Sequence, residues 1–94
     1  NTMKTLIINA AAIDSMDQIH DRFYAAFDFP ECYGENLDAL YDYLCEIVKE
    51  DAEIKIRNSS VLEQNIGEKE ASGLRRVLAD AERENPHITV VFED

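Results

Sequence analysis

Tyr33-Gly34-Glu35-Asn36-Leu37-Asp38-Ala39-Leu40-Tyr41-Asp42-Tyr43-Leu44 is the stretch on which the reading of this chain turns. Each residue of an α-helix advances about 100° around the axis. With Glu35 opening a helix, Glu35, Asp38, Asp42 and Glu46 fall within about 80° of one another. Leu37, Leu40, Tyr41, Leu44 and Val48 group on the opposite side. The spacing predicts a helix over residues 35–49 that shows a negative ridge to solvent and an apolar stripe to a core. Like charges three and four residues apart cost a few tenths of a kcal/mol per pair, and Lys49 is the first cation to follow them. A helix shaped for stability alone would mix in lysines. The ridge points instead to a strongly positive partner.

Outward from this helix, apolar runs alternate between the two secondary-structure periods. Upstream, Lys4-Thr5-Leu6-Ile7-Ile8-Asn9 is a β-branched run that reads as a buried strand. Ser15 and Gln18 fit a capping box, and Met16, Ile19, Phe23, Ala26 and Phe27 repeat at helical spacing, so a helix is expected over 15–27. Phe29 to Gly34 breaks it. Pro30 drives its predecessor toward extended backbone, and Gly34 can take a positive φ at the turn into the acidic helix. Downstream, Glu53 to Arg57 alternates as a second strand. Ser60 and Glu63 offer another capping box for a short helix, and Glu68 to Glu84 carries Ala71, Leu74, Val77, Leu78 and Ala81 at core spacing. Asn85-Pro86 ends that helix, and His87 to Phe92 reads as a third strand. The order β-α-α-β-α-α-β predicts an α/β fold, a three-stranded parallel sheet with about four helices and right-handed crossovers.

Ninety-four residues, 46% of them apolar, suffice for one small core, and residues 1–94 read as a single domain. Asn1 and Thr2 read as residues ahead of a native start at Met3. Nine Lys+Arg against twenty Asp+Glu leave a net charge of −11. Binding to nucleic acid or an anionic membrane by counterion release needs a basic face, so that charge argues against both. It favours a basic partner, whose encounter such a field can speed by 10- to about 1,000-fold. The same charge suits a soluble acidic protein, monomeric when free. No apolar stretch approaches the roughly 18 residues of a membrane span and no basic leader precedes one, so a cytoplasmic location is expected. Cys32 and Cys45, without C-x-x-C spacing, read as free thiols rather than a bridge or a zinc motif.

Nothing in the chain reads as catalytic. It has no G-x-S-x-G, no Gly-rich phosphate loop and no H-E-x-x-H. Paired carboxylates act as acid and base only where burial raises one pKa, which a solvent-facing ridge does not offer. Carboxylates along one straight helix face diverge instead of encircling a cation, so no metal or cofactor is expected. His20 and His87 lack a ligand-spaced companion, and His20, beside the Ile19 stripe, is expected to be structural or partly exposed. Asp80 and Glu84 place negative charge near a helix C-terminus, against the macrodipole, with Arg76 and Arg83 nearby to offset it. Such a local conflict with stability is suggestive of function. Tyr41 falls among the leucines at the core edge, Tyr43 on the flank nearest the acids, and Tyr33 in the loop before them. Tyrosine and charge together suit a protein interface, and ordinary packing of half-buried rings explains them equally.

Pro30-Glu31-Cys32-Tyr33-Gly34-Glu35-Asn36-Leu37-Asp38-Ala39-Leu40-Tyr41-Asp42, with Leu44 two residues on, resembles the barstar motif P-E-x-Y-G-x-N-L-D-A-L-W-D. About a dozen positions agree in one ungapped run, and the resemblance extends more loosely over nearly the whole chain. It implies an intracellular inhibitor of a barnase-type ribonuclease, in which the motif helix and the preceding loop plug the enzyme's active site and acids stand where substrate phosphates would. By position, Asp42 matches the principal phosphate-mimicking aspartate and Asp38 the second acid. Asn36 and Gly34 match polar and loop contacts. Counting back from the closing strand, Asp80 and Glu84 match two acids of the last helix, Asp80 being one methylene shorter than the family's glutamate.

Three departures stand out. Cys32 replaces an aromatic residue of the family's best-known member, Tyr41 replaces a tryptophan, and Ile47 stands where that member has a second interface tryptophan. All three touch the rim of the ridge and leave its acids intact. The expected function is inhibition of a basic secreted ribonuclease, with Tyr33, Gly34, Asn36, Asp38, Tyr41, Asp42, Asp80 and Glu84 as the partner-binding residues. The rivals are an immunity protein of the same fold against a different toxin, which the three departures favour, and an acidic protein-binding module with no ribonuclease partner.

Overall fold

The structure, a computed structural model, describes residues 3–94. Asn1 and Thr2, read above as preceding the native start, lie outside the described residues. The elements run β1 (Lys4–Asn9), α1 (Met16–Phe27), α2 (Leu37–Ile47), β2 (Ala52–Arg57), α3 (Leu62–Ile66), α4 (Glu68–Glu84) and β3 (Ile88–Phe92), with single 3-10 turns at Ala10–Ala12 and Ser59–Val61. The strands form one parallel sheet in the order β1-β2-β3. This is the architecture expected from the alternation of apolar periods.

Among the described residues the sheet is covered on one face only. Leu6, Ile8, Ile54, Ile56 and Ile88 turn into the core with Ile19, Phe23, Leu40, Leu44, Leu74 and Leu78 of the helices. Thr5, Ile7, Glu53, Lys55, Thr89 and Val91 turn the other way and stay exposed or half-exposed, Ile7 at 49%. β1, expected as a buried strand, is thus buried on one face only. The reason is topological. With the order β1-β2-β3 both crossovers step in the same direction, and right-handed crossovers then lay all the helices on the same face. Parallel sheets usually have both faces covered.

Several boundaries differ from those read in the sequence, each for a local reason. Ser15 is the N-cap of α1 but makes no side-chain cap bond; Gln18 Oε1 accepts from the Asp14 amide instead, so the capping box is shifted by one residue. Ser60 does not cap α3. Asn58 takes the left-handed conformation (φ 55°), the chain makes a 3-10 turn, and Val61 precedes the helix. Glu63, expected to complete that box, is held by Arg75 in a two-pronged pair at 2.9 and 3.2 Å, while Arg75 also donates to the Ser59 carbonyl. α2 stops at Ile47, and its C-terminus is closed from outside the helix. Buried Asn85, just past α4, donates from Nδ2 to the carbonyls of Leu44 and Val48 at 2.9 Å each and accepts the His87 amide on Oδ1. The carbonyls at a helix C-terminus have no intrahelical partner, so this side chain ties the end of α2 to the end of α4.

Candidate functional site

The acidic helix starts two residues later than its charge pattern suggests. Asn36, not Glu35, is the boundary: its Oδ1 accepts the Ala39 amide at 2.8 Å as the N-cap of α2. Glu35 lies outside the helix at φ 50°, and it is this residue, not Gly34, that takes the left-handed turn. A non-glycine residue there carries roughly 1 kcal/mol of strain, held at the threshold of the site. Asn36→Ala should cost the domain about 1 kcal/mol, the usual loss of an asparagine N-cap. An unchanged urea midpoint would mean that the cap bond does not anchor the first turn. Asp38, in that first turn, also complements the helix dipole.

Gly73 decides how α2 meets α4. A Cβ built on it would stand 2.5 Å from Leu37 Cδ1, so the Leu37 side chain packs directly against the α4 backbone there. This approach brings acids from both helices onto one open groove of about 550 Å³, lined by Leu37, Asp38, Tyr41, Asp42, Gly73, Arg76, Val77 and Asp80. Asp38 and Asp42 are exposed and Asp80 half-exposed. Asp80 is ion-paired with Arg83 one turn on. Arg76, at helical spacing from Asp80, makes no ion pair within 4 Å among the described residues. Tyr41 is half-buried at the groove wall, and its hydroxyl pKa is raised, first by the neighbouring Cys45 thiol, then by burial, with the carboxylates of Glu84 and Asp80 adding to the shift. Glu84 is exposed beyond the groove on α4.

On its other side Asp38 borders a second hollow, of about 420 Å³, shared with Asp17 and His20 of α1, Glu35, Asn36 and Glu70. Glu35 in turn borders a third, with Asp21, Tyr24, Glu31 and Tyr33. Asp17, Asp21 and Glu70 were not singled out in the sequence, because nothing local to them shows that α1 and the start of α4 flank the motif helix. Tyr33, expected as a contact residue, is only 6% exposed. Its ring packs against Phe29 and Tyr43, and its hydroxyl is hydrogen-bonded to Nδ1 of buried His20. Gly34 is exposed in the loop, close enough to Asn36 that a Cβ would stand 3.1 Å from Nδ2. Tyr43 is half-buried, packs its ring edge-on against Phe29 and places its hydroxyl 3.6 Å from Cys32 Sγ. Both cysteines are free thiols.

His20 has the structural place its position suggested, and it sets a pH dependence. Desolvation lowers its pKa below the ordinary 6.5, while the carboxylates of Glu35, Asp17, Glu70 and Asp21 pull weakly upward. The unfolded chain therefore binds this proton more readily than the folded one. Stability contributed by neutral His20 is full above the ordinary value and falls as pH drops from 6.5 toward the lowered value. His20→Gln should flatten the slope of the urea midpoint between about pH 7 and pH 5.5. Equal slopes in the two proteins would show that some other group is responsible.

Among the described residues no group of three or more His, Cys, Asp or Glu is placed to hold a metal ion, and no helix is long and apolar enough to cross a membrane. What the site offers is a set of carboxylates on two rigid helices, open to solvent, with aromatic rings packed behind them. Compared with known proteins, residues 3–93 match a family model described as Barstar (barnase inhibitor). A protein of Bacillus subtilis (strain 168) named "Putative ribonuclease inhibitor YrdF" is 40% identical over 42 residues, a match spanning 45% of this chain and 46% of that protein. The chain thus covers less than half the length of that relative.

Proposed function

The chain belongs to the barstar family, and on that premise we propose that it inhibits a basic secreted ribonuclease by laying the groove between α2 and α4, with the loop before α2, over the enzyme's active site. The observation that carries this reading is the convergence of Asp38, Asp42 and Asp80 from two helices on one open groove. A ribonuclease active site must hold a polyanion, so it is lined with cations. Carboxylates fixed on helices can occupy that site without being cleaved, and their rigidity lowers the entropic cost of docking. Asp42, in the middle of α2, makes the central contacts. Asp38 and Asp80 flank it, and Glu84 adds charge beyond the groove. Tyr41, Asn36 and Gly34 shape the rim, while Tyr33 supports the loop from beneath. The net charge of −11 steers the encounter.

Titration of a barnase-type ribonuclease with the purified protein, following RNA cleavage at two salt concentrations, tests the reading. The expected result is stoichiometric inhibition whose onset slows as salt is raised. No inhibition at micromolar protein would overturn the ribonuclease as partner. It would also transfer the proposal to a same-fold immunity protein, for which Cys32, Tyr41 and Ile47 at the rim are the residues that differ.

A further inference from the structure

The groove contains one residue that a purely acidic plug does not need. Arg76 of α4 lines it beside Asp38, Asp42 and Asp80, is exposed, and forms no ion pair or hydrogen bond with any of them within the described residues. The acid best placed for it along the helix, Asp80, is taken by Arg83 from the other side. Helical side chains lean toward the N-terminus, so the stem of Arg76 lies over the turn that contains Gly73.

A surface that covers the groove strips water from this guanidinium. Desolvating an unpaired charge is costly, and a partner cation set against it adds repulsion. Resting on the reading that this groove meets a ribonuclease, we infer that Arg76 is a specificity-determining residue: the partner it fits places a carboxylate against Arg76, next to the cations that meet Asp38, Asp42 and Asp80. The complement of the groove is then a mixed site, cations for phosphate plus one carboxylate. That is the composition of an active site that both holds RNA and takes a proton by general base catalysis. A simply basic surface, such as one that coats nucleic acid, is rejected by the same arginine. A guanidinium suits this selection because its planar fork matches a carboxylate in two-pronged geometry.

The two possible partners give opposite signs for one substitution. Binding of a barnase-type ribonuclease is measured for the wild-type protein, Arg76→Ala and Arg76→Glu, with urea midpoints confirming that each variant is folded. The expected result is a Kd raised at least tenfold by Arg76→Ala and further by Arg76→Glu. The Arg76→Ala effect should also vanish against one enzyme variant in which an active-site carboxylate is replaced by its amide. Unchanged or tighter binding by folded Arg76→Ala, with Arg76→Glu tighter still, would overturn the inference while leaving inhibition through the acids intact. Failure of the wild-type protein to bind any such enzyme overturns the ribonuclease reading and this inference together. The wild-type titration alone separates that failure from the first.

Discussion

Asp42→Ala is expected to weaken binding to the proposed ribonuclease partner by about 2 kcal/mol or more, some thirtyfold in Kd, while leaving the fold intact. Asp42 is exposed in the middle of α2, on the groove where Asp38 and Asp80 converge. It has no ion-pair partner within the chain among the described residues. Truncating it therefore breaks no ion pair or side-chain hydrogen bond among the described residues. It removes repulsion from Asp38 and Glu46, four residues away on either side, and the urea midpoint should stay level or rise by a few tenths of a kcal/mol. On the proposed binding mode the same carboxylate is central and desolvated, where loss of one member of a charge pair leaves the other buried without a partner. The loss should appear mainly as faster dissociation. Asp38 and Glu84, nearer the edges, should act more on association and its salt dependence. Inhibition titrations paired with urea unfolding check both halves. A folded Asp42→Ala protein that inhibits like wild type would remove Asp42 from the centre of the interface. An unfolded one would mean that the residue serves the fold.

The largest effect on stability is expected at Asn85, a residue outside the proposed partner contacts. Its side chain is 5% exposed, donates twice from Nδ2, to the Leu44 and Val48 carbonyls, and accepts the His87 amide. Asn85→Ala should cost about 2–4 kcal/mol, because it leaves polar groups of α2 and of the turn into β3 buried without partners. Asn85→Asp should be worse at neutral pH despite its nearly identical shape. The carboxylate keeps the acceptor for His87 but turns a charged oxygen toward the two carbonyls that Nδ2 had satisfied. Part of that excess should return as pH falls and the carboxyl protonates. Urea unfolding across pH measures both. If the aspartate variant proves no less stable than the alanine variant at neutral pH, the two donated bonds are not what ties α2 to α4.

These two residues also divide what was legible in the chain from what was not. Asp42 could be read directly, because a helix converts spacings of three and four into a face, and the acids and leucines of residues 37–48 separate onto opposite sides without knowledge of any other element. For the same reason the sequence by itself determined the strand and helix order, the parallel sheet and the family motif, all of which rest on periods of two or 3.6 and on contiguous residues. Asn85 read only as a helix stop, since its partners lie 41 and 37 residues away. The left-handed turn fell on Glu35 instead of Gly34 because Asn36 caps α2, and the capping bond, not the glycine, sets where the helix begins. That Tyr33, in its loop, is buried with its hydroxyl on His20 of α1 was not legible either, since that partner lies on another element. Tertiary structure alone decided that Gly73 lets α4 close on Leu37, that Asp80 joins Asp38 and Asp42 across the groove, and that Arg76 stands among them without an ion pair to any described residue. Each depends on two elements far apart in sequence coming within a few ångströms, and a pattern along one element holds no information about what packs against it.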